Sequence, residues 1–194
     1  MPSASHETEA ELIRQVRAGR REAFRPLVER YWPRVKSLAR RILRGPELVE
    51  DICQETFLRA YEKLETFDLT RDFGPWIARI AVNLIGEHFR RHGQKWQLVP
   101  LDERLFQPGL EDEPSDTIVG RVLLDDCLMR LPLALRLVFI LRHGLMFRYE
   151  EIAQILEEPV GTIKVHLFRA REMLKTFWTR VPVAQRATER ERVE

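Results

Sequence analysis

The chain has 194 residues, 44% of them hydrophobic and 32% charged, with a formal net charge of +2. That length holds one large domain or two small ones, and the near-neutral charge rules out a polycationic nucleic-acid coat, so charge has to be read locally. No apolar run approaches the roughly 20 residues that cross a bilayer, and the opening MPSASHETEAE is polar and acidic, unlike a secretory leader. The expected location is the cytoplasm. Cys53 and Cys127 lie far apart, which in a reducing compartment predicts free thiols buried on helices.

Helical periodicity dominates the first half. Thr8 to Ala18 is a short amphipathic helix with Leu12 and Val16 on one face and Gly19 past its end. Arg21 to Leu43 is a longer run carrying Phe24, Leu27, Val28, Tyr31, Val35, Leu38, Ala39 and Ile42, with Pro33 expected to kink or split it and Gly45-Pro46 ending it. Glu47 to Leu64 turns Val49, Ile52, Cys53, Thr56, Phe57, Ala60 and Leu64 inward and keeps Asp51, Gln54, Glu55, Arg59 and Glu62 outside. Glu65 to Phe73 loses the period and reads as a loop. A helix from Pro75 to about His92 follows, burying Ile77, Ile80, Ala81, Leu84 and Ile85 and ending in His88, Arg90, Arg91 and His92, with Lys95 just beyond.

Residues 94–117 show no period and are rich in proline and acidic side chains, the signature of a linker between domains. Ile118 to Leu131 and Pro132 to Arg142 read as helices, and Thr179 to Glu194 as a disordered tail. No alternating strand pattern occurs. The expected class is all-α, with two small helical domains on an extended acidic tether. The second, of about 60 residues, is marginal alone.

The stretch Tyr149 to Arg171 reads as two short helices with a tight turn, interrupted by Glu157-Glu158-Pro159. In the second helix Val160, Ile163, Leu167, Ala170 and Leu174 form one buried stripe. At about 100° per residue the opposite face carries Gly161, Thr162, Val165, Phe168, Arg169 and Glu172, while Lys164 and Arg171 flank the stripe on one side and His166 on the other. A basic second helix is the helix-turn-helix plan, in which that helix enters the DNA major groove.

Four segments in order, AGRREAFRPLVERYWPRV, EDICQETFLRAYEKL, WIARIAVNLIGEHFRR and YEEIAQILEEPVGTIKVHLFRARE, resemble the bacterial sigma factors of the sigma-70 class, extracytoplasmic-function type. The likeness runs from about Glu11 to Trp178. It implies region 2 over residues 8–95, an acidic linker over 96–117, region 4 over 118–178 and a tail over 179–194. It also implies a protein that is no enzyme and needs no cofactor or metal, but binds core RNA polymerase, directs it to −35/−10 promoters and helps open the DNA. By the same resemblance Asp51, Gln54, Glu55 and Arg59 face the clamp helices of the largest polymerase subunit, and region 4 meets the flap of the second-largest. Asn83 matches an asparagine of the −10 base pocket, with Phe73 and Trp76 as possible walls and Arg79, Arg90, Arg91 and Lys95 on phosphates. For Trp76 a core role is equally compatible.

On the −35 element, Val165, Phe168 and Arg169 match the base-reading positions, with Thr162, Lys164 and His166 nearby for phosphates or base edges. Val165-His166 departs from the serine-arginine pair common in the family, which points to an altered −35 preference and to a weaker or pH-dependent phosphate contact. Members of the family are often held by an anti-sigma protein, and no membrane insertion is expected. His88 and His92 stand four apart, a spacing that can hold a metal, but no further ligand is evident. The alternatives are a free-standing helix-turn-helix regulator that binds duplex DNA unaided, and a recombinase or nuclease, for which the first domain offers no carboxylate cluster.

Overall fold

The computed structural model describes residues 4–92 and 127–180, and their side chains over 9–92 and 127–177. All regular elements among them are helical. The first unit comprises α1 (Ala4–Arg17), a 3-10 turn (Arg21–Phe24), α2 (Arg25–Arg40), α3 (Pro46–Glu62), a 3-10 turn (Leu64–Thr66) and α4 (Phe73–Arg91). The second comprises a helical turn over 127–130, α5 (Leu133–Phe139), a π-turn (Ile140–Gly144), α6 (Tyr149–Leu156) and α7 (Val160–Arg180). The linker at 96–117, the start of the helix expected from Ile118, Lys95 and the tail beyond Arg180 lie outside the described residues. Thr179 and Arg180, expected to belong to the tail, are still part of α7.

In the first unit α2, α3 and α4 pack on one another, and the apolar positions at helical spacing meet in the middle. Ile13, Leu27, Leu38, Ile42, Leu64, Phe73, Ile77 and Ile85 are fully buried there. Each such aliphatic side chain contributes about 1.5–3 kcal/mol by leaving water. Cys53 and Cys127 are buried and not joined in a disulfide, and burial together with nearby Glu50 pushes the Cys53 thiol up to about 11, so it stays protonated.

Pro33 does not split the second helix, contrary to the expectation from the sequence. α2 runs through it, and the break falls at the 3-10 turn before Arg25. Pro33 is exposed, so the carbonyl that loses its partner faces water, where the loss is cheapest. α4 begins at Phe73 rather than Pro75, which places the proline within the first turn, where no intrahelical donor is missed.

In the second unit α5 and α6 both pack on α7. Glu151 accepts a hydrogen bond from the Arg148 backbone N–H at 2.6 Å, closing the start of α6, and Glu150 adds charge at the same positive helix end. α6 ends at Glu157, which takes the left-handed conformation with φ 58°.

The two units do not stand apart. One continuous hydrophobic core runs from Ile13 to Leu174, and α4 of the first unit packs directly on α6 of the second. Gly74 is buried at this seam. A Cβ there would stand 3.3 Å from Tyr31 Cε1 and 3.8 Å from Phe147 Cε1, so only a glycine lets the three approach without displacement.

Candidate nucleic-acid and polymerase-binding faces

The α4 face carries the residues matched to the −10 element. Trp76, Arg79, Asn83 and Arg90 recur at steps of three, four and seven, which brings them to one side of the helix. Asn83, Arg90 and Arg91 are exposed; Trp76 and Arg79 are half-buried. Phe73 is a correction. It is 1% exposed and cannot line an open pocket. Its ring lies 5.2 Å from Tyr31, 5.6 Å from Phe67 and 5.2 Å from Trp76, so it is the centre of an aromatic cluster. Burial of a phenyl ring outweighs any surface role, and Phe73 acts by fixing its neighbours.

Phe67, in the stretch that shows no helical period, packs its ring at a tilt 4.8 Å from that of Trp76 and backs it. Of the two candidate walls, only Trp76 keeps part of its ring in solvent. The loop that delivers Phe67 is closed by Asp68, whose carboxylate accepts from the Thr70 backbone N–H at 2.9 Å and the Thr70 hydroxyl at 2.7 Å. These bonds hold the Asp68 carboxyl below its ordinary range.

The α3 face carries the residues matched to polymerase binding. Asp51 and Gln54 are exposed, and Leu58 between them and Glu62 is 54% exposed. Glu55 and Arg59 are engaged with each other. Arg59 donates to Glu55 at 2.8 Å and to both Glu87 oxygens at 3.1 and 3.2 Å, tying α3 to α4. Glu87 was missed by the sequence reading. Its position four residues from both Asn83 and Arg91 is the signal that finds it. The Arg59 hydrogen bond, more than the nearby charges of Arg91 and Arg90, holds the Glu87 carboxyl below its usual value.

At the end of α4 the His88 and His92 rings lie 4.2 Å apart, tilted by 33°. Partial burial and the His92 and Arg91 charges lower the His88 pKa. Among the described residues no group of three or more His, Cys, Asp or Glu side chains is arranged to hold a metal.

The α7 face carries the residues matched to the −35 element. Ile163, Leu167, Ala170 and Leu174 are buried as the stripe requires, and Lys164 is exposed; Thr162, Phe168 and Arg169 are half-buried. Two residues depart from the expectation. Val165 is 6% exposed and His166 0% exposed, so neither presents a side chain to solvent in this conformation. His166 stands next to the stripe and extends it. Val165 stands nearly opposite, which means that α7 is covered on two sides, something a single periodicity cannot reveal. Lys164 lies 5.7 Å from the Tyr149 ring and Arg142 5.0 Å from it, so two cations gather over the start of α6.

The geometry defines two helical units, each offering a helix face with exposed cations. A family model for sigma-70 region 2 matches residues 27–95, and one for sigma-70 region 4 matches residues 121–174. The chain is 31% identical over 175 residues to the ECF RNA polymerase sigma factor SigW of Bacillus subtilis, covering 84% of this chain and 92% of that one. It is 33% identical over 177 residues to the ECF RNA polymerase sigma-E factor of Escherichia coli, covering 86% and 92%. In fold it resembles CnrH, solved in complex with the cytosolic domain of CnrY, with a TM-score of 0.70 and 23% identity over 90% of this chain and 99% of that one. The chain belongs to the extracytoplasmic-function sigma factors of the sigma-70 class, and is therefore a transcription-initiation factor and not a free-standing regulator. No helix among the described residues is long and apolar enough to cross a membrane.

Proposed function

We propose that this chain directs core RNA polymerase to promoters through three faces, without catalysing any step itself. Asp51 and Gln54, with Leu58 as an apolar centre, meet the clamp helices of the largest subunit, and region 4 meets the flap of the second-largest. An acidic and amide face against a basic helix gives register and encounter rate more than raw affinity. Asn83 reads an unstacked base of the −10 element over the half-exposed ring of Trp76, while Arg79, Arg90, Arg91 and Lys95 hold phosphates. Arg169 reads a −35 guanine, with Phe168, Thr162 and Lys164 beside it. Val165 and His166 join this face only if α7 is uncovered.

The observation that carries this reading is the set Trp76, Arg79, Asn83 and Arg90 gathered on one face of α4, within the stretch that matches sigma-70 region 2. The work is done in the cytoplasm, where polymerase and chromosome are. An anti-sigma partner is part of the proposal. CnrH was solved with the cytosolic domain of CnrY, and RpoE of Bartonella quintana with the anti-sigma factor NepR; the latter shares a TM-score of 0.64 and 22% identity with this chain. Run-off transcription tests the reading. Core enzyme with the purified chain should start at discrete sites on genomic fragments that core enzyme alone ignores. Duplex binding by the chain alone, with no effect on polymerase, would refute it.

A further inference from the structure

The promoter-reading helices are held together in this structure, and a promoter needs them apart. Elements named −10 and −35 are separated by about 25 base pairs, or ~85 Å at about 3.4 Å per base pair. Here α6 lies on α4, and α7 lies on α6. Packed helices have axes roughly 8–10 Å apart, so this conformation cannot reach both elements. The same conformation leaves Val165 and His166 buried.

The seam has three kinds of contact. Arg79 of α4 forms an ion pair with the Glu157 carboxylate, at the turn between the two helices of the reader. Phe147, 7% exposed, packs its ring toward Gly74 and Tyr31 of the first unit. Arg136 of α5 reaches the Ile42 carbonyl at the end of α2 at 3.5 Å. A cleft of about 250 Å³ bordered by Glu9, Tyr31 and Asp72 on one side and Met146, Phe147 and Glu151 on the other marks where this seam is incomplete.

We propose that the chain carries its own latch: in the free protein Glu157 occupies the Arg79 guanidinium, so that one cation serves either the reader's turn or a promoter phosphate, never both. The proposal rests on the reading of Arg79 as a phosphate contact. Glu157 stands where a helix usually ends in glycine or asparagine, because its φ of 58° is left-handed. A glutamate there accepts backbone strain and places a carboxylate on α4.

The latch is built to release. The Arg79 and Glu157 side chains are 40% and 64% exposed, so salt screens their attraction. Closure also holds the buried Arg136 guanidinium near Arg44. Its hydrogen-bond partners are the Met129 and Leu131 carbonyls at 2.6 and 2.9 Å, the Met129 sulfur at 3.2 Å and the Ile42 carbonyl. None of these is a carboxylate, and burial, then the Arg44 charge, lowers the Arg136 pKa. An apolar seam that carries such a cost is opened by any partner that binds the separated units better.

Small-angle X-ray scattering on the full free chain, with binding of a short fluorescent single strand carrying the mapped −10 element, tests this. The wild type should be compact at low salt and expand as salt is raised. Glu157→Lys and Phe147→Ser should be expanded already at low salt. Glu157→Lys should bind the strand several-fold more tightly than Glu150→Lys, which makes the same charge change at the exposed start of α6 and should stay compact. A wild type that is extended at low salt, or two seam variants as compact as the wild type, would overturn the latch. Expansion without tighter strand binding would instead overturn the phosphate role of Arg79, and with it the shared cation.

Discussion

α4 and α7 are both recognition helices by sequence, and they differ in how they are covered. α4 is buried against α2 and α3, and across the seam against α6, yet keeps Asn83 and Arg90 in solvent. α7 keeps Lys164 exposed but has Val165 and His166 closed off on different sides. On α4 the amide and charged residues left in solvent are those the hydrophobic wheel puts outside. On α7 the covering elements hide residues that the wheel leaves off the buried stripe, and only the tertiary arrangement shows which.

The largest expected effect comes from forcing α7 back to the family pattern. His166→Arg would tighten phosphate binding if the residue faced solvent. Because it is fully buried, the variant should instead lose about 3 kcal/mol of stability, the order of the cost of taking a guanidinium out of water unpaired. Thermal melting of the full chain measures this, and an unchanged melting temperature would show that α7 turns that face outward.

Next comes Arg169→Ala. Loss of one bidentate guanine contact costs about 1–3 kcal/mol, so initiation that depends on the −35 element should fall roughly 5- to 150-fold while polymerase binding holds. Equal loss on templates with and without that element would contradict the assignment. Asn83→Ala should slow opening by about fivefold, one hydrogen bond's worth, and leave closed-complex formation alone. Permanganate footprints measure the opening directly.

The smallest effect is a pH dependence at the joint between α3 and α4. Arg59 holds the Glu87 carboxyl below its ordinary value of 4.5. A carboxyl depressed in the folded state contributes stability that is complete above the unfolded value and is lost as pH falls through the folded one. Both side chains are about a third exposed, 30% and 32%, so the contribution is under about 1 kcal/mol. Denaturant titrations of wild type and Glu87→Gln should therefore be fully separated above pH 4.5 and draw together as pH falls below it.

Much of this molecule was legible in its residues. The stripes of α3, α4 and α7 and the order of the two units follow from a period of 3.6 and from turn chemistry, whereas Asn83 was found only through the family resemblance. Three things were not. Phe73 and Phe67 sit where the period fails; Phe73 packs against Tyr31, far away in sequence, and Phe67 against Phe73. The π-turn at Ile140–Gly144 replaces the last turn expected of a helix ending at Arg142, because the chain widens before its bend at Met146. The contact of α4 with α6 joins residues such as Arg79 and Glu157 across the linker, and no local pattern reports a contact at that separation. The ion pair Arg59–Glu87 belongs to the same class at shorter range.

The most direct measurement of the central claim is start-site sequencing of transcripts made by core polymerase with and without this chain. The account predicts a new set of starts that share two upstream elements, and loses the −35 preference with Arg169→Ala. Starts that are the same in both reactions would contradict it.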